Sequence, residues 1–163
     1  MSRSEGNHPL GVRNELSLSI EELEMLRRIE AHDLWFVEER LIRKGRVSAE
    51  NVEEAVFEFK RYMALVGLGY RGLAMLRPDV DEVWHAFILF TREYSAFCQE
   101  AFGTFVHHVP RTSRSPAPAG AEAFLAGYDD VFGAGAAAAY STDRLRIAGD
   151  EPSGCGTEDC TSD

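Results

Sequence analysis

Apolar and polar positions alternate with a helical period along most of the chain. Leu23, Leu26, Ile29, Leu34, Val37, Leu41 and Ile42 recur mainly at three- and four-residue steps, which places them on one helical face. Ser19 and Glu22 ahead of them have the separation of a capping box. Lys44 and Gly45 behind them supply the cation and the glycine that helix ends favour. The spacing predicts one helix over 20–44. Ser48 restarts the pattern, and Val52, Ala55, Val56, Phe59, Tyr62, Met63 and Val66 predict a second helix over 49–66. Gly67, Gly69 and Gly72 break it. Leu68, Tyr70, Leu73, Met75 and Leu76 then read as an apolar connector packed on the core.

Pro78, Asp79 and Asp81 suit the entry of a third helix. From Val80 to Phe102 that helix is apolar on more than one side, as a central, mostly buried helix is, and Gly103 closes it. Residues 104–110 read as extended, 111–120 as a linker, and 121–132 as one more amphipathic helix. The small residues of 134–139 fit helix or loop. The expected fold is therefore all-α, a compact bundle of about four to five helices. The expected organisation is a flexible N-terminal segment over 1–17, a single helical domain over 18–140, and a disordered acidic tail over 141–163 that carries Cys155 and Cys160.

Composition narrows the function classes. At 45% hydrophobic the chain of 163 residues can bury a core, and no apolar run reaches the roughly 18 to 20 residues of a membrane span. Its 17 Lys and Arg stand against 27 Asp and Glu, a net charge of -10, whereas nucleic-acid binders and anionic-membrane binders need a basic face. Neither is expected as a partner, which leaves a protein or a small molecule. The opening residues lack the apolar stretch of a secretory leader, and three cysteines make no disulfide framework, so a cytoplasmic location is expected.

The chemistry concentrates between Asp81 and His108. Asp81 and His85 are four apart and lie roughly 40° from each other on one helical face, close enough to share an ion. His107, His108 and Cys98 follow within 28 positions, and imidazole, thiolate and carboxylate together suit zinc or another divalent first-row metal. Cys98 falls roughly 220° from His85 on a straight helix, so it joins the site only if the helix kinks near Phe90 and Thr91, and otherwise is a core residue. If 104–110 is extended, His107 and His108 point to opposite faces, and only one of them meets Asp81 and His85. Trp84 and Tyr94 are expected as the structural core of the motif.

The run 59–132 resembles the domain shared by the glycine-rich domain proteins. The matching residues are Phe59-Lys60-Arg61-Tyr62, Met75-Leu76-Arg77-Pro78, and Val80-Asp81-Glu82-Val83-Trp84-His85. Leu89, Tyr94, Cys98, Phe102-Gly103, His108 and Tyr128 to Phe132-Gly133 follow. The resemblance implies a helical domain and selects His108, with His107 in reserve. Plant-type members carry a second histidine where this chain has Phe87 and a proline where it has Thr91, so the ligand set here is poorer by one.

Two readings follow. One is a small metal-binding helical protein, a metalloenzyme or an accessory protein of a biosynthetic pathway, with a zinc- or iron-class ion on Asp81, His85 and His108. The other is a non-catalytic interaction or scaffold module, in which Asp81 merely holds an imidazole in one tautomer and His107 and His108 bond to backbone carbonyls. Cys155 and Cys160 read as extra ligands, a reversible disulfide or inert residues. No nucleophile elbow or phosphate loop is present, and the glycines of 67–72 follow a helix, so they read as a turn.

Overall fold

Ser19 opens the first helix as its spacing predicts. Its Oγ accepts from the Glu22 N–H at 3.1 Å and its own N–H donates to Glu22 Oε2 at 2.7 Å, a cap that contributes about 1 kcal/mol. The computed structural model describes residues 8–110 and 120–140. The tail of 141–163, with Cys155 and Cys160, and most of the linker lie outside the described residues.

The helix expected over 20–44 is two helices, α1 (Ile20–Ala31) and α2 (Trp35–Arg43). Asp33 Oδ1 accepts from the Trp35 N–H at 3.1 Å, so a side chain satisfies a donor that the start of α2 leaves open. His32 turns extended (ψ 120°), and its ring packs 5.8 Å from Phe87 and 4.9 Å from Phe97. Burial there holds the His32 imidazole below its ordinary pKa. A straight helix of that length would run about 37 Å; the bend lets Ile29, Leu34, Val37 and Leu41 wrap one core, in which each is 2% exposed or less. Gly45 ends α2 at φ 63°, a conformation glycine adopts without strain, and the Arg46 N–H returns to the Leu41 carbonyl at 3.0 Å.

Helix α3 (Val52–Gly67) lies at the centre and packs against α1, α2 and the two helices α4 (Pro78–Leu89) and α6 (Ala121–Phe132); α5 (Thr91–Phe102) packs on α1 and α4. The connector after α3 lies on the core as expected, with Leu73 and Met75 buried and the Leu73 carbonyl accepting from the Tyr62 hydroxyl at 3.0 Å. The single third helix is again two, broken at Phe90 (ψ 69°). The Phe90 N–H closes a tight turn on the Phe87 carbonyl at 2.9 Å, and its ring meets Phe36 edge-on at 4.8 Å. Gly103 stops α5 at φ 69°. Among the described residues the fold is all-helical, with six α-helices rather than four or five because two long apolar patterns each fold as a bent pair. No helix among them is long and apolar enough to cross a membrane.

Part of the segment expected to be a flexible lead-in is core. Leu10 and Val12 are 1% and 0% exposed. The Leu10 N–H donates to Glu30 Oε1 at 2.9 Å, its carbonyl accepts from Arg61 Nε at 3.0 Å, and the Arg13 N–H bonds the Val131 carbonyl at 3.0 Å. Two isolated apolar residues have no period, so no pattern announces them.

A buried carboxylate fastens α6 and the 3-10 turn Ala136–Tyr140 to α3. Glu58 Oε2 accepts from the Tyr128 hydroxyl at 2.7 Å and the Tyr140 hydroxyl at 2.5 Å, while Arg61 lies 3.4 Å from Oε1. Burial and the adjacent Glu58 charge hold both phenols well above the ordinary tyrosine range. The Arg61 guanidinium sits over the rings of Phe57 and Phe132, 4.6 Å from each centroid.

Candidate metal centre

One turn of α4 carries the first half of the site. Arg77 grips Asp79 with two bonds, Nε to Oδ1 at 3.0 Å and Nη2 to Oδ2 at 2.6 Å, and reaches Glu54 at 2.8 Å, which pins the entry of the helix. Asp81 follows in the first turn, 4% exposed, and His85 stands one turn on. Asp81 Oδ2 lies 3.5 Å from His85 Nδ1, and Asp81 Oδ1 lies 3.2 Å from His108 Nε2. In the tautomer that places a proton on Nε2, the His108 imidazole donates to the carboxylate, and His85 Nδ1 lies near its other oxygen. The two rings stack at 4.5 Å with 24° between their planes. One ligand atom from each of the three residues falls within 4.8 Å of the others. The His108 side chain is 3% exposed and that of His85 46%, so the cluster has a sealed side and an open one.

A relay of hydrogen bonds carries His108 to this place. The Trp84 indole N–H donates to the Tyr94 hydroxyl at 2.9 Å, and that hydroxyl donates to the Val106 carbonyl at 2.5 Å, two residues before His108. Trp84 also packs its ring 4.4 Å from that of His108. The two aromatic residues of the motif, each 1% exposed, thus tie α4, α5 and the segment 104–110 together.

His107 and Cys98 do not join the cluster. His107 is exposed, packs 4.8 Å from the Phe105 ring, and lines a groove with Arg28, Tyr70 and Gln99, away from the buried His108 side chain. Cys98 is fully buried beside the Val106 backbone N–H and the Tyr94 hydroxyl, and burial pushes its thiol pKa up, which disfavours the thiolate a metal needs. The kink at Phe90 that would admit Cys98 does form, yet it turns α5 so that Cys98 meets the core.

Three donors of this type suit a first-row ion. The 3.2 and 3.5 Å separations run to different oxygens of Asp81, and one ligand atom from each of the three residues lies within 4.8 Å of the others, against about 3.3 Å between neighbouring ligand atoms of a closed tetrahedral site, so the donors must draw together to bind an ion. His85, the exposed partner, is the ligand with room to move. His85 also lines an open cleft of about 460 Å³ between α2 and α4. Arg40, Lys44 and Arg46 line the same cleft; in the sequence Lys44 stands as a cation at a helix end, and no local pattern points to a cavity.

No curated protein and no solved structure matches the chain. The glycine-rich domain resemblance is overturned: the family that matches is the UCP032817-like family, over residues 24–122, and no glycine-rich domain family is shown. The inferences drawn from plant-type members about Phe87 and Thr91 go with it. The matched span runs from α1 into the start of α6 and contains Asp81, His85 and His108. With more than half of its 163 residues inside that span, the chain belongs to the UCP032817-like family.

Proposed function

We propose that the chain is a small metal-binding helical protein in which Asp81, His85 and His108 take up one divalent transition ion of the zinc or iron class. The observation that carries this reading is the convergence, within 4.8 Å, of a carboxylate and two imidazoles from segments 27 residues apart in sequence. The donor set is shared by catalytic zinc sites, which keep a fourth position for water, and by iron sites with two histidines and one carboxylate. With His85 at the open side, an ion would keep a face toward the cleft, where it could act as a Lewis acid or activate water. This extends the reading to a metalloenzyme or a metal-dependent accessory protein.

The test is metal analysis of tag-free protein after addition of zinc or ferrous iron and removal of the excess. About one ion per chain is expected, with uptake lost in His85→Ala and in His108→Ala. Less than about 0.1 ion per chain would reject the reading.

A second reading rests on one observation, that Asp81 already bonds the His108 imidazole and lies 3.5 Å from that of His85. Here the cluster is a pin that fastens 104–110 to α4, and the protein is an interaction or scaffold module. His108→Ala then lowers the melting temperature, and added zinc leaves that temperature unchanged in the unaltered chain as well as in the variant.

A further inference from the structure

The cleft beside His85 has a charge opposite to that of the molecule around it. The chain carries a net charge of -10, yet the cleft is lined by Arg40, Lys44 and Arg46 against Glu82 alone. We propose that this cleft binds a small molecule with a carboxylate or phosphate head, which the three cations hold while the rest of the ligand extends toward His85. The proposal deepens the metal reading and rests on it only for the ligand's far end, which would face the ion; the anion site itself needs no metal.

Three observations support this. First, among the described residues Arg40 and Lys44 enter no ion pair, and Arg46 meets Glu82 only at 3.8 Å, with side chains 65% and 35% exposed. Such an exposed pair is weak and gives way to a better anion. Second, the helix dipole accounts for cations in the last turn of α2 but not for where they point. Arg43 pairs with Glu39 at 3.7 Å, whereas Arg40 and Lys44, four apart, share the cleft side, and the chain reversal at Gly45 brings Arg46 back to it. Third, the volume of about 460 Å³ lies within the range of small-molecule sites. Leu89 leaves an apolar surface there, 62% exposed, for the carbon part of a ligand. Guanidinium forks with an ammonium beside them match carboxylate and phosphate oxygens. Three cations in a cleft are too few and too local to track a nucleic-acid backbone.

The experiment is calorimetric titration of the full, metal-free chain at low ionic strength with inorganic phosphate and, separately, with succinate. Saturable binding of at least one probe at one per chain is expected, and which probe binds separates phosphate from carboxylate ligands. The double variant Arg40→Gln with Lys44→Gln should weaken that binding roughly tenfold, and Glu82→Gln should tighten it about threefold, because each change alters the charge facing the anion. Arg40, Lys44 and Glu82 are exposed or half-exposed, and a thermal melt confirms that the variants fold. Absence of saturable binding of both probes at about 10 mM, or equal binding by the double variant, would overturn the proposal. Zinc uptake without binding of either anion would leave the metal reading standing and remove this one. Anion binding without zinc uptake would do the reverse.

Discussion

Glu58 and Asp81 are the two buried acidic side chains among the described residues, 9% and 4% exposed, and their surroundings differ in kind. Around Glu58 stand Tyr128, Tyr140 and Arg61, groups that donate to the carboxylate and are themselves packed in the core. None of them offers a lone pair suited to a cation at neutral pH, and the phenols are held protonated. Around Asp81 stand two imidazoles, each able to exchange its shared proton for a metal bond, and one of them opens on a cleft. Burial of a carboxylate thus marks a costly group that needs partners. The chemistry of the partners decides whether the result is a fastening or a site.

The contrast breaks most visibly at Glu58. Glu58→Ala leaves two buried hydroxyls and a guanidinium without their acceptor and should cost about 3 kcal/mol in urea unfolding, with zinc uptake by the folded fraction unchanged. A loss under about 1 kcal/mol would show that α6 is held mainly by its apolar face. Asp81→Asn should cost less, about 2 kcal/mol, because the amide still accepts one bond, and it should also reduce metal uptake at least tenfold. Stability lost with uptake intact would move Asp81 to the same class as Glu58. His85→Ala removes a half-exposed ring and should change stability by less than about 0.5 kcal/mol while abolishing uptake, a dissociation that no purely structural role produces.

The smallest effect is an alkaline one. Burial, and then the hydrogen bond to Asp130, push the Tyr70 phenol up to about 12 from an ordinary 10.0. A folded-state value above the unfolded one gives a stabilising contribution that is complete below pH 10 and is lost as pH rises toward 12. Tyr128 and Tyr140 shift in the same direction. Ultraviolet titration of the native protein should therefore show these three phenols still protonated at pH 10. In Tyr70→Phe, the decline in stability between pH 10 and 12 should be shallower.

Much of this was legible along the chain where the cause is local. The capping box of Ser19 and Glu22, the stops at Gly45 and Gly103, and the helix over 121–132 depend on neighbouring residues, and each stands where the spacing puts it. The pairing of Asp81 with His85 follows from helical geometry alone, and the different surroundings of His107 and His108 are those expected of neighbouring residues in a non-helical stretch. What was hidden depends on distant contacts. The breaks at 32–34 and at Phe90 follow the packing of His32 on Phe97 and of Phe90 on Phe36, which no local period encodes. Nothing local singles out Glu58, because its partners Tyr128 and Tyr140 arrive from 70 and 82 residues away. The cations of the cleft lie on both sides of a chain reversal, so their convergence is a property of the fold. The family resemblance rested on the Asp-x-x-Trp-His run and scattered matches over 59–132, and the family that matches is a different one.

The most direct measurement is imidazole nitrogen NMR of the tag-free protein during zinc titration. The rings of His85 and His108 should move together and reach their end points at one equivalent of zinc, with the exposed His107 ring unaffected. If the resonances of His85 and His108 stay where they are while zinc binds elsewhere or not at all, Asp81 is a second fastening like Glu58 and the metal centre does not exist.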